Sequence, residues 1–228
     1  MAKQRIALEC AYCGSLTENP TRDHAIPRAL WPDGQRPANP IIVPACAKCH
    51  TEGDREVTYF RNMVVATLDP EKDPVAAALV DGPVTRAIVR DNRLYRDMIE
   101  RAEFAGRPSA GGVFVEQGVK VPFDGQRFNA PLEKMVRALF FHKSKVPLPK
   151  THKVVIYPGG DFWDKPGAAE LIAAMHSWQS YGDTVFQFRS VRDSTDLAAT
   201  AWVLAFYRQV GILATTVPIA TAFPAPMQ

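Results

Sequence analysis

Apolar positions along the chain recur with two periods, and the change of period divides it into elements. Val57, Phe60, Val64 and Leu68 fall three or four apart in TEGDREVTYFRNMVVATL, which predicts an amphipathic helix running from Thr51 onward. Asp69 to Pro74, rich in Pro and Asp, breaks it. Ile88, Tyr95, Met98 and Ile99 predict a helix from Pro83 to about Phe104, stopped by Gly106 and Pro108. Short strands are expected at 112–116 and 119–123, joined by a turn at Gln117-Gly118. Leu132, Met135, Val136, Leu139 and Phe140 predict a helix from Pro131 to about Lys145. A strand over 153–157, a helix over 166–178 and strands over 184–191, 200–207 and 211–217 complete the series. This mixed order, with the last strands close enough for hairpins, predicts an α+β fold with an antiparallel sheet.

Composition narrows the class. Of 228 residues, 46% are hydrophobic and 22% charged, the proportions of an ordinary globular protein, so disorder, collagen-like repetition and coiled coil are excluded as global descriptions. The net charge of +3 is too small to point to a polyanionic partner. The uncharged stretch from Gln209 to Gln228 carries Pro218, Pro224 and Pro226, which argues against a membrane span. No apolar run of signal-peptide length follows Met1, so a cytoplasmic location is expected.

All the cysteines lie in the first quarter of the chain, as two Cys-x-x-Cys pairs: Cys10 with Cys13, and Cys46 with Cys49. A two-residue spacing lets a tight knuckle present both thiolates to one ion, and two matched pairs suit a tetrahedral structural zinc better than a redox couple or free thiols. Residues 1 to about 66 hold few apolar runs, so a small metal-stapled module is expected over 1–66, followed by an α+β domain of unknown role over 75–228.

Between the pairs lie Asp23-His24-Ala25-Ile26-Pro27-Arg28 and Asn39, and His50 directly follows Cys49. Read together, CAYC, DHAIP, Asn39 and CAKCH resemble the HNH endonuclease family, in the form whose ββα-metal core is held by a four-cysteine zinc site. The likeness covers residues 8 to 62. It implies His24 as general base, Asp23 and His50 as ligands of a catalytic divalent cation such as Mg2+ or Mn2+, and Asn39 as a brace for the loop that orients the base. Asn39 between Ala38 and Pro40 also suits a simple turn. Some family members carry a further histidine four residues after the last one; here that position is Asp54. Positions four apart on a helix share a face, so His50 and Asp54 could both reach one ion; the alternative is that Asp54 is a solvated first-turn carboxylate favoured by the helix dipole. Asp23 and His24, as neighbours on a strand, would point to opposite faces, so serving one site requires a strand end or bend there.

The chemistry agrees with such a role. Phosphodiester hydrolysis needs a base for water and charge neutralisation at the phosphate, and imidazole and carboxylate supply both. Arg28 is expected among the DNA-binding residues. From Lys134 to Gly160 there is no acidic residue, and Lys143, Lys145, Lys150 and Lys153 offer a second DNA-binding run, or a basic helix end. The expected activity is metal-dependent DNA cleavage; the rival expectation is a zinc-stabilised nucleic-acid-binding or adaptor protein that does not cut.

Overall fold

A computed structural model describes residues 7–90, 103–108, 114–120, 123–158 and 167–219. The first strands are short. β1 (Leu8–Glu9) pairs antiparallel with β2 (Leu16–Thr17), and β3 (Thr21–His24) pairs with β4 (Ile42–Ala45). A long loop between β3 and β4 contains one 3-10 turn, Arg28–Leu30. Two helices follow, α1 (Ala47–Thr51) and α2 (Asp54–Ala66).

The expected helix from Thr51 is therefore interrupted. Glu52 is extended and Gly53 adopts φ +96°, a left-handed conformation that glycine alone enters without cost, so α2 begins afresh at Asp54. The Asp69–Pro74 breaker is a turn that ends in a cap. Asp73 accepts the backbone N–H groups of Val75 and Ala76 at 2.8 and 3.0 Å, starting α3 (Pro74–Leu79). A π-wound segment, Val80–Val84, leads into α4 (Thr85–Arg90). The expected start at Pro83 is thus too late, because Pro83 lies inside the π turn, where its missing N–H is more easily accommodated. The remainder of that expected helix, 91–102, lies outside the described residues, and Phe104 already belongs to a strand.

β5 (Glu103–Pro108) and β6 (Phe114–Lys120) form an antiparallel pair. The expected turn at Gln117-Gly118 is absent: both residues sit within β6, opposite Gly106 and Ala105. Next comes α5 (Gly125–Ser144), six residues longer at its start than the sequence pattern suggests. Asp124 caps it by accepting the Arg127 N–H at 3.1 Å, and Pro131 is buried inside the helix instead of opening it.

The rest of the chain builds one antiparallel sheet in the order β7-β11-β10-β9-β8, from β7 (His152–Pro158), β8 (Gln179–Tyr181), β9 (Phe186–Arg192), β10 (Thr200–Phe206) and β11 (Val210–Pro218). A short helix, α6 (Ala168–Ala173), replaces the longer one expected over 166–178. Along β10, Trp202, Leu204 and Phe206 face the main core, while Ala201 and Val203 face a smaller cluster with Met175 and Leu213. Both faces of this strand are covered, which explains its almost unbroken apolar run.

The main core is continuous from Cys10 to Ala214, joining the cysteine-bearing segment to the C-terminal sheet. Phe60 of α2, fully buried, has its ring 5.0 Å from that of Phe128 in α5 and 5.3 Å from that of Phe206 in β10. Polar ties cross the same boundary. Tyr207 donates its hydroxyl to the Leu30 carbonyl at 2.7 Å, and the Gln209 side-chain amide accepts the Asp69 N–H and donates to the Asp69 carbonyl. Both come from the β10–β11 turn, where Tyr207 and Arg208 take φ of 52° and 56°. A buried Tyr pays steric strain at such a φ, and its hydroxyl bond to the long loop helps hold it there. Among the described residues, no helix is long and apolar enough to cross a membrane.

Candidate functional site

Two neighbouring groups of side chains define the candidate site, the cysteine cluster and an open cleft beside it. The first cysteine knuckle turns at Gly14 (φ +71°), whose N–H reaches the Cys10 carbonyl, and the second opens α1 with Cys46 at the cap position. The Ala11 N–H donates to the Pro44 carbonyl at 2.9 Å and locks the two knuckles together. All four Sγ atoms lie within 4.8 Å of one another, with Cys13 and Cys46 3.9 Å apart. A tetrahedral ion with bonds of about 2.3 Å would hold its sulfurs about 3.8 Å apart, so the group could hold a metal such as zinc. Burial raises the Cys10 and Cys49 thiols. At Cys13 burial also raises the thiol, but bonds from the Ser15 side chain and backbone and from Cys10 and Cys49 outweigh it and bring it to about 6. Four thiols in one place cannot all ionise without a cation among them.

The cleft, of about 620 Å³, is lined by Asp23, His24, Arg28, His50 and Lys134 together with Arg22. Asp23 and His24 are the last two residues of β3, and the chain bends immediately after them. This strand end lets both side chains reach one space. The His24 N–H donates to Asp23 Oδ1 at 2.9 Å, which fixes the carboxylate. His50 Nδ1 lies 3.5 Å from the same oxygen. The Lys134 ammonium, from α5, lies 3.1 Å from Asp23 Oδ2, 3.4 Å from the Glu52 carbonyl and 4.9 Å from the centre of the Tyr12 ring. Burial pushes the Tyr12 hydroxyl far up, and the Asp23 charge adds to this.

His24 Nε2 accepts the Arg28 Nε–H at 3.0 Å. Burial first, and the Arg28 charge second, hold this imidazole below its usual range, with Asp23 pulling the other way. His24 is therefore neutral near pH 7 and able to accept a proton.

One carboxylate and one imidazole in the cleft are the side chains that could hold a cation. Asp23 Oδ2 and His50 Nδ1 are both buried without an aligned hydrogen bond, although Lys134 partly neutralises the carboxylate. Asp54 opens α2, but the break at Gly53 removes the shared face expected for His50 and Asp54; its side chain lies outside those described. Asn39 is exposed, in a groove with Gln35, Arg36 and Ser180, and is not gathered with His24. Lys143 turns onto the sheet, where its ammonium bonds Ser190 Oγ at 3.1 Å over the Phe188 and Trp202 rings. Lys145 and Lys150 are exposed, and Lys153 is half-buried on β7.

Tyr12 entered the site without a sequence signal of its own, and Lys134, which opens the basic run, carried no sign of its pairing with Asp23. Their approach depends on how α5 packs against α2 and the cysteine knuckles. No protein-family model, curated protein or solved structure matches the chain.

Proposed function

We propose that the chain is a metal-dependent DNA endonuclease of the HNH kind, with a structural zinc on Cys10, Cys13, Cys46 and Cys49. The supporting observation is the convergence of Asp23, His24 and His50 on one basic cleft beside the cysteine group. Asp23 and His50 would hold the catalytic cation, Mg2+ or Mn2+, with Asp54 the further candidate. Bound there, the cation supplies charge neutralisation at the scissile phosphate and its leaving oxygen.

The other steps belong to the chain's own side chains. Neutral His24 accepts the proton of the attacking water. Arg28 now occupies the His24 Nε2 lone pair. A phosphate entering the cleft offers its guanidinium a stronger, charge-assisted partner, which frees Nε2 as substrate binds. Arg22 and Lys134 line the same cleft and add positive charge along the phosphate path.

The test is incubation of supercoiled plasmid and of single-stranded circular DNA with the purified protein, with and without Mg2+ or Mn2+, beside His24→Ala. Cleavage by wild type alone, and only with metal, is expected. Intact substrates throughout, with folded and zinc-loaded protein, would refute the nuclease and leave a zinc-stapled binding module.

A further inference from the structure

A second cavity opens beside His24, between the long β3–β4 loop and the edge of the C-terminal sheet. It measures about 220 Å³, and its walls include Ile26, Trp31 and Tyr181, with Arg28 and Arg36 also in the lining. Its character differs from the cleft: flat aromatic and aliphatic walls, two guanidinium groups and no carboxylate among its lining residues. Trp31 is almost fully buried, whereas Tyr181 is half-buried, with one face stacked parallel on Phe188 at 6.0 Å. His24 and Arg28 line both spaces, so a group held here sits next to a phosphate in the cleft.

We infer that this cavity receives one unstacked nucleobase of the substrate strand, so that the preferred substrate is single-stranded or locally unpaired DNA. The inference rests on the nuclease reading of the adjoining cleft. An aromatic slot stacks any base through its π face, and arginines beside it hold the flanking phosphates. The volume falls below the range of about 300–1,000 Å³ usual for drug-sized ligands, which suits a single ring system. A base inside an intact duplex cannot enter without unpairing and turning out of the stack. Arg36 extends the positive path beyond the cavity, with the exposed Asp33 paired to it at 3.7 Å.

The experiment measures binding by full-length, zinc-loaded protein without added Mg2+ or Mn2+, where cleavage is off, using fluorescein-labelled single strands, a hairpin duplex and a strand of abasic spacers at equal salt. The single strand is expected to bind more tightly than the duplex. Tyr181→Ala should weaken single-strand binding about fivefold or more, while leaving the abasic strand unchanged. Tyr181→Phe, which keeps the ring, should retain wild-type binding and show that the loss is one of stacking. Equal losses on base-bearing and abasic strands, a duplex bound as tightly as the strand, or no binding to either would each overturn the inference. Cleavage is then scored separately with Mg2+. A protein that shows the expected binding pattern but cuts nothing supports the base pocket and refutes the nuclease alone.

Discussion

Gly182 bears directly on how the aromatic cavity is held, and its substitution separates two physical costs. Its φ is +66°, and a Cβ added there would lie 2.2 Å from Trp31 Nε1, 3.1 Å from Cε2 and 3.3 Å from Cδ1. Gly182→Ala therefore incurs the left-handed backbone penalty of about 1–2 kcal/mol. It also forces apart a rigid indole and a sheet turn, an overpacking cost of about 1–3 kcal/mol. The sum is about 2–5 kcal/mol. Gly34 provides the control, because it has φ +83° with nothing within 4 Å of the added Cβ. Gly34→Ala should cost only the backbone term, about 1–2 kcal/mol. Urea unfolding followed by circular dichroism gives both values, and equal slopes against denaturant make the midpoints comparable. A difference between the two variants below about 0.5 kcal/mol would refute tight seating of Trp31 on the β8–β9 turn.

Three further expectations test other parts of the molecule. Cys46→Ser removes one of four thiolates and should release bound zinc and lower Tm by about 5 °C or more; zinc retained at one ion per chain would count against a four-cysteine site. In the cleavage assay, protonated His24 cannot act as base, so the rate should rise with pH through its pKa and level off above it; Arg28→Ala removes the second cause of the downward shift, so the rising limb should move to higher pH, and a limb that stays or moves lower would contradict the proposed pairing. Phe60→Ala empties a fully buried ring site between α2, α5 and β10 and should cost about 3–5 kcal/mol in a single unfolding transition, whereas two transitions with only one displaced would show that the two halves do not share a core.

The elements best read from sequence were those governed by local pattern. The two Cys-x-x-Cys knuckles carry their geometry in their spacing, and the last three strands show apolar runs long enough to outweigh their loops. Features set by distant partners were not legible. Gln117-Gly118 has the composition of a turn, yet pairing with Ala105 and Gly106 keeps it extended. Pro131 has the character of a helix start, but burial against the core and the Asp124 cap carry α5 back another turn and a half. Gly53, inside a periodic apolar pattern, ended one helix before the next because nothing in the period itself marks a left-handed residue. Asp23, His24 and His50, expected through the resemblance of their motifs, line one cleft. Lys134 reaches Asp23 across more than a hundred residues, and Tyr181 meets Trp31 across about 150, so only packing could reveal them.

The turn between β10 and β11 also sets an order of events during synthesis. Gln209 clasps Asp69 across 140 residues of chain, and Tyr207 reaches back still further to Leu30. At a ribosomal rate of about 5–20 residues per second, some 7–28 s separate the emergence of Asp69 from that of its partner. The cysteine knuckles have all four thiols by Cys49, before that interval begins. The loop bearing Arg28 and Trp31 must wait for the hairpin before it acquires its final support. A nascent chain thus carries its cysteine cluster complete but its cleft without final support, which the last two strands supply.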